Sequence, residues 1–290
     1  MKHLPTEAIL DKMTTPEKAN LCDGEGSWHT HGVERLGIPG AMLTDGPHGL
    51  RKRTQINGEW TTVHATCMPT ASALAASWNR EVAALAANTI AKDAIAESVA
   101  VVLGPGVNMK RSPLCGRNFE YFSEDPYFAG DFAAAYISAM QQNGVGSCIK
   151  HFAVNNQETR RFTVSANVAA RPLHETYLRA FEIAVQAAKP EAIMESYNRI
   201  NGKHAAESRW LLDDLLRKKW GFEGVVMSDW EAVNDRVASL EAGLDLEMPS
   251  SHGGGRDYIL AALADGRIDE SLLDRSARRV LALATKERPA

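Results

Sequence analysis

The sequence predicts a single-domain α/β barrel of the (β/α)8 type, and three observations carry that expectation. Short apolar runs alternate with helical patterns over about 250 residues; the runs are apolar throughout or β-branched; and they end in polar or ionisable side chains. Continuously apolar runs suit parallel strands buried on both faces, and a parallel barrel gathers its functional residues at the strand carboxyl ends.

Taken in order, the strand candidates are Ala41–Asp45, Val99–Leu103, Cys148–Phe152, Ala192–Ser196, Gly224–Asp229 and Leu244–Met248. The helical patterns between and after them are Arg80–Ser98, Ala129–Gln142, Pro172–Ala188, Ser208–Trp220, Asp257–Asp265 and Glu270–Lys286. Pro172 suits a first helical position, and Ser208 is a natural cap before Trp210, Leu211, Leu212, Leu215 and Leu216. The stretch from Leu50 to Thr70 shows no clear strand, so the first strands are expected to be irregular. No internal repeat, low-complexity stretch or linker divides the chain.

Composition narrows the function. The 290 residues carry 32 Lys and Arg against 36 Asp and Glu, a net charge of −4, with 44% hydrophobic residues. That apolar content excludes a disordered chain, and the charge balance gives no basic surface for nucleic acid or anionic membrane. No run reaches the roughly 18 to 20 apolar residues of a membrane span. The first residues lack a signal-peptide core, and Cys22, Cys67, Cys115 and Cys148 form no C-x-x-C pair. Reduced thiols and a cytoplasmic location are the expectation.

The strand ends then separate themselves from ordinary core. They carry Asp45, Lys150-His151, Glu195-Ser196-Tyr197 and Ser228-Asp229-Trp230. No phosphate cradle or dinucleotide fingerprint accompanies them. His29-Thr-His31 and His174-Glu175 complete no zinc set, so no metal and no cofactor are expected. Ser147-Cys-Ile-Lys150 and His252-Gly-Gly-Gly255 mimic acyl-transfer motifs but lack the partners those motifs need. Carboxylates, cations and aromatics at one barrel face are instead suited to sugars. Ring hydroxyls pair with charged groups, ring faces stack on Trp or Tyr, and an oxocarbenium-like anomeric carbon calls for a carboxylate.

The longer motifs make the expectation specific. They are Trp28-His-Thr with Glu34-Arg-Leu-Gly-Ile-Pro39, Thr44-Asp-Gly-Pro-His-Gly-Leu-Arg51, Leu103-Gly-Pro-Gly-Val-Asn108, and the run from Arg111 to Pro126. Lys150-His-Phe-Ala-Val-Asn-Asn-Gln-Glu158, Ser196-Tyr-Asn198 with Asn201-Gly202, Gly221 to Trp230 and Gly243 to Pro249 follow. Together, over roughly residues 10 to 285, the chain resembles the N-terminal barrel domain of family 3 glycoside hydrolases, in the bacterial β-glucosidase branch. The resemblance implies a retaining β-glucosidase acting on terminal non-reducing β-D-glucosyl residues of a small glucoside or oligosaccharide. Asp229 matches the family nucleophile. Asp45, Arg117, Lys150, His151 and Arg161 match residues around the same sugar, although neighbouring Arg160 is easily confused with Arg161. Met194 and Tyr197 match contacts near the nucleophile, with Tyr197 placed to donate to Asp229. Trp230 matches the subsite wall, and Arg51 a contact found in only some members.

Departures accompany the matches. The family continues into an α/β sandwich domain, which in this branch supplies the acid/base Glu. Residues 1–290 therefore read as the barrel domain alone, and a complementary C-terminal domain or chain is the partner implied. Glu158, Glu195 and Glu247 are the carboxylates within the chain, and none is assigned to that role. The sequence after Lys150-His-Phe disfavours the N-acetylglucosaminidase branch, and Glu231 stands where the family usually has Gly. A β-xylosidase and a non-catalytic sugar-binding barrel are the alternatives. One local difficulty is geometric. Adjacent strand residues point to opposite faces, so Lys150 and His151 reach one sugar only where the strand ends and turns.

Overall fold

The computed structural model describes residues 6–289. Its centre is a sheet of five parallel strands: Leu43–Asp45, Val101–Leu103, Gly146–Phe152, Ala192–Glu195 and Val225–Met227, paired in that order. Four shorter pairings close this sheet into a barrel. Met227 bridges Leu246 and Glu247 bridges Asp23, both in parallel; Gly24–Glu25 then pairs antiparallel with His29–Thr30, and His29 bridges Met42. The staves thus follow chain order around the ring, and His29–Thr30 runs against its neighbours.

The reversed stave explains the irregular start that the sequence suggests. Only residues 26–28 separate Gly24–Glu25 from His29–Thr30, with Gly26 at φ +59°. A parallel crossover needs a dozen residues or more, so a tight antiparallel turn is the connection available. The expected strand at Leu244–Met248 is reduced to two bridging residues. The stretch from Leu50 to Thr70, in which no strand was expected, holds an exposed hairpin of Arg53–Ile56 and Glu59–Thr62. Asn57 and Gly58 form its turn, with φ of 53° and 85°.

Helices form where caps and apolar stripes coincide. Thr70, Asn79, Asp125 and Asp235 each cap a helix with a side-chain oxygen, opening Ala71–Ala76, Arg80–Ala96, Pro126–Gln142 and Arg236–Ala242. The Arg236–Ala242 helix was not anticipated; seven residues are too few to show a periodicity. Pro172 lies in a helix that already starts at Ala170, ahead of a wide turn at Leu173–Tyr177 and the helix Arg179–Ala188. Ser208 Oγ accepts from Leu211 N at 3.4 Å, and Trp210–Lys219 ends wide, with Trp220 N bonded to Leu215 O at 3.0 Å. Gly254–Ala264 and Glu270–Ala284 complete the outer layer.

The period-two rule sorts the strand residues into two cores. Val102, Ile149, Ile193 and Val226 pack outward with Phe132, Ile137, Phe181 and Leu216 of the helices. Leu43, Val101, Cys148, Met194 and Met227 pack into the other cluster, with Leu21, Leu246 and Leu281. Each fully buried side chain of this size contributes about 1.5 to 3 kcal/mol. Continuing the inward parity of Leu43, Cys148, Ala192 and Met227 toward the carboxyl ends leads to Asp45, Lys150, Met194 and Asp229. No helix among the described residues is long and apolar enough to cross a membrane.

Candidate active site

At the carboxyl ends of the strands lies a pocket of about 540 Å³. All ten residues singled out from the sequence line it: Asp45, Arg51, Arg117, Lys150, His151, Arg161, Met194, Tyr197, Asp229 and Trp230. Trp28, His48, Phe119 and Glu120 line it too and were not singled out.

Asp229 is clamped on one side only. Its Oδ1 accepts from the main-chain N of Trp230 at 2.7 Å, while Oδ2 is buried without a hydrogen-bond partner. Arg117 Nη1 and His151 Nε2 stand 3.8 and 3.7 Å from that oxygen. Burial raises the Asp229 pKa, and Arg117, Lys150, the Trp230 N–H and the Tyr197 hydroxyl offset it only in part. Tyr197 is pushed up in turn by burial and by Asp229.

The cations are shared with other acids. Lys150, buried, donates to Asp45 Oδ1 at 3.0 Å and stands 4.0 Å from Glu120. Burial disfavours its ammonium, but Asp45 and Glu120 outweigh that and its pKa is raised. Burial would raise Asp45, yet Lys150, with Arg51 and Arg117 adding to it, holds its carboxyl below the ordinary range. Arg117 is in a tight ion pair with Glu120, so it is both a pocket cation and a structural partner. Arg161 donates to Glu158 at 3.2 Å and covers the Tyr197 ring, 4.2 Å from its centroid.

His151 is neutral, and its tautomer follows from its neighbours. Arg117 Nη2 lies 2.6 Å from Nε2, and a guanidinium only donates, so Nε2 accepts. The proton therefore sits on Nδ1, which donates to the Tyr121 hydroxyl at 3.2 Å. Burial, then Arg117, Lys150 and Arg161, push its pKa well below the usual value. Lys150 and His151 both reach the pocket because the ladder shifts register between Ile149 and Phe152, which breaks the strict alternation. Asn108 fixes the His151 main chain on both sides, at 2.8 and 2.9 Å.

Aromatic rings make the rim. Trp230 packs on Trp28 with centroids 5.0 Å apart, and its Nε1 donates to Ser27 O at 3.1 Å. Tyr197 packs on Phe162 at 4.5 Å. The three candidate carboxylates do not face this space. Glu158 accepts from Asn155 and Arg161, Glu247 lies 3.3 Å from Arg236, and Glu195 is wholly buried behind Asp229. No group of three or more His, Cys, Asp or Glu suited to a metal occurs among the described residues.

Comparison with known proteins matches residues 25–283 to the glycosyl hydrolase family 3 N-terminal domain. The chain is 51% identical over 276 residues to the thermostable β-glucosidase B of Acetivibrio thermocellus, covering 94% of this chain and 37% of that protein. It is 52% identical over 289 residues to an exo-α-(1→6)-L-arabinopyranosidase of Bifidobacterium breve, covering 98% of this chain and 38% of that one. Among solved structures, a Bifidobacterium adolescentis family 3 β-glucosidase superimposes with a TM-score of 0.90 at 53% identity, over 96% of this chain and 40% of that one. β-Glucosidase 3B of Thermotoga neapolitana, in complex with glucose, gives 0.92 at 40% identity, over 96% and 42%. The chain thus spans about two fifths of these relatives' length, and it belongs to glycoside hydrolase family 3 through that family's N-terminal domain.

Proposed function

We propose that this chain is the nucleophile-bearing barrel of a retaining β-glucosidase that removes terminal non-reducing β-D-glucosyl residues. The observation that carries the reading is Asp229 itself, a buried carboxylate with one oxygen clamped and the other free in a pocket of cations and aromatics. In the first step Oδ2 bonds to the anomeric carbon and the glycosidic bond breaks. The leaving oxygen takes the bonding pair and a proton from an acid/base carboxyl. In the second, water attacks the same carbon, gives its proton to that carboxylate, and Asp229 is released. Asp45, Arg117, Lys150, neutral His151 and Arg161 hold ring hydroxyls, with Arg51 at the margin. Trp230 backed by Trp28 offers the stacking face, and Met194 and Tyr197 close the floor around Asp229.

The acid/base carboxyl belongs outside residues 1–290 in this proposal. Within the pocket, Asp45 is committed to Lys150 and Glu120 to Arg117, which leaves no free acid beside the roughly 5 to 5.5 Å spacing that retention requires. A second reading is favoured by the arabinopyranosidase relative, which is as similar as the glucosidases: the pocket takes a pentopyranoside, L-arabinosyl or xylosyl.

Aryl and alkyl β-glucosides, each with and without azide, test the proposal on the 290-residue chain. A nitrophenolate leaves without a proton, so aryl glucosides should react and azide should speed turnover to β-glucosyl azide. Alkyl glucosides should be slower by on the order of 10² to 10⁴, the usual contribution of an acid catalyst. Equal rates with no azide effect place an acid/base within the chain. Inertness toward every activated glycoside favours a sugar-binding barrel, and preference for aryl arabinopyranoside or xyloside favours the second reading.

A further inference from the structure

Behind the Asp229 loop, on the sheet face turned away from the pocket, lies a carboxyl that the proposed reaction does not use. Glu195 ends the Ala192–Glu195 strand and is out of phase with inward-facing Met194. It has no exposed surface, and its Oε1 accepts from the main-chain N of Asp229 at 3.3 Å. Its Oε2 has no partner, and no Lys, Arg or His forms an ion pair with it among the described residues. The ionisable groups facing it are Asp229 on the adjoining loop and Glu207 of the Ala205–Glu207 turn, both acids.

We propose that Glu195 is a positioning residue for Asp229: from behind the loop its Oε1 holds the nucleophile's main-chain N–H. The inference rests on the reading of Asp229 as nucleophile. Burial first, and the Asp229 carboxylate second, drive Glu195 toward its protonated form, outweighing the N–H of Asp229. A neutral acid still accepts that N–H. An apolar side chain would leave the N–H buried without a partner and the loop free to shift. An ionised one would oppose ionisation of Asp229, which already has burial against it and depends on Arg117 and Lys150.

Glu195→Gln and Glu195→Leu in the 290-residue chain separate these roles, with thermal melts confirming folded protein. The first readout is the covalent labelling of Asp229 by a dinitrophenyl 2-deoxy-2-fluoro-β-glucoside, followed across pH by intact mass. Glu195→Leu should slow labelling about tenfold at an unchanged half-saturating concentration, the equivalent of one hydrogen bond of about 1.4 kcal/mol. Glu195→Gln should recover most of that loss and keep the wild-type acid limb. The second readout is infrared: at pH 7 the wild-type spectrum should hold a protonated-carboxyl C=O band that Glu195→Gln removes. The inference is overturned if Gln is as slow as Leu, if Gln moves the acid limb, if Leu labels at the wild-type rate, or if the band is missing. Should the wild-type chain take no label, the nucleophile reading fails, and the infrared band alone still decides whether Glu195 is uncharged.

Discussion

Removing the Asp245 carboxylate should destabilise the domain far more than removing one of the arginines it binds. Asp245 is fully buried at the end of the barrel away from the pocket. Its Oδ2 accepts from Arg217 Nη2 at 2.6 Å and from Val226 N at 2.9 Å, and its Oδ1 from Arg279 Nη1 at 2.9 Å. One carboxylate thus serves two guanidiniums and ties the Leu244–Met248 segment to the strand that leads to Asp229. Asp245→Ala leaves two cations without a counter-charge and a buried N–H without an acceptor. Removing one partner of a buried pair costs about 3 to 5 kcal/mol. For 290 residues the unfolding entropy is about 0.6 kcal/mol per degree, so Tm should fall by about 5 to 8 °C.

Arg217→Met should cost less than half as much. Burial, only partly offset by Asp245 and reinforced by nearby Arg279 and Arg275, pushes the Arg217 pKa down to about 10, so its charge is held against the surroundings. Asp245 also keeps Arg279 when Arg217 is gone. Scanning calorimetry at pH 7 measures both variants. Equal losses, or a Tm change below about 2 °C for Asp245→Ala, would refute the reasoning that the carboxylate is the shared and limiting charge.

Asp229→Asn should abolish covalent labelling yet melt no lower than wild type. Its folded pKa lies above the ordinary 3.8, so its contribution to stability is lost as pH rises through that pKa, and at pH 7 the ionised group is a cost that Asn removes. Gly46→Ala should destabilise by about 1 to 3 kcal/mol and weaken glucose binding in calorimetric titration. Gly46 lines the pocket together with Gly49; it has φ +141°, and a Cβ there would sit 2.5 Å from Gly49 O and 2.7 Å from Leu50 Cα. His151 and His48, held below 6.5, should each take stability away as pH drops from 7 toward 5, because the unfolded chain takes up their protons first, while Asp229 and Glu195, both raised, act in the opposite sense. The histidine part is read by difference: in denaturant melts His151→Gln should lose less stability on acidification from pH 7 to 5 than the wild type.

The part of the site legible in the sequence is the part carried by regular strands. Asp45, Lys150, Met194 and Asp229 share a parity with buried inward residues, so a period-two reading leads to them. His151 breaks that parity, and only the register shift beside it, which no side-chain pattern encodes, brings it in. Phe119 and Glu120 arrive on a short turn at Asn118–Glu120 inside an irregular loop, where spacing says nothing about direction. Outside the site, the hairpin over Arg53–Thr62 had its signal in plain view. Asn57-Gly58 between β-prone residues marks a type I′ turn, but the flanking strands are exposed on both faces and lack an apolar alternation.

Trp28 shows why the first staves matter for chemistry. A barrel start built as a regular strand, helix and strand would carry the chain out over the sheet for a dozen residues before returning. Here the chain turns back within residues 26–28, and Trp28 O instead accepts from Leu43 N at 2.7 Å, beside the strand that ends in Asp45. The indole is thereby fixed against Trp230, whose own Nε1 reaches back to Ser27 O. Trp230 follows Asp229 directly and donates its N–H to Oδ1. The reversed stave therefore braces the same residue whose N–H holds Oδ1, and Oδ2 is left without a hydrogen-bond partner. The antiparallel turn around residues 26–28 thus meets the residue that follows Asp229 through one hydrogen bond and one ring contact.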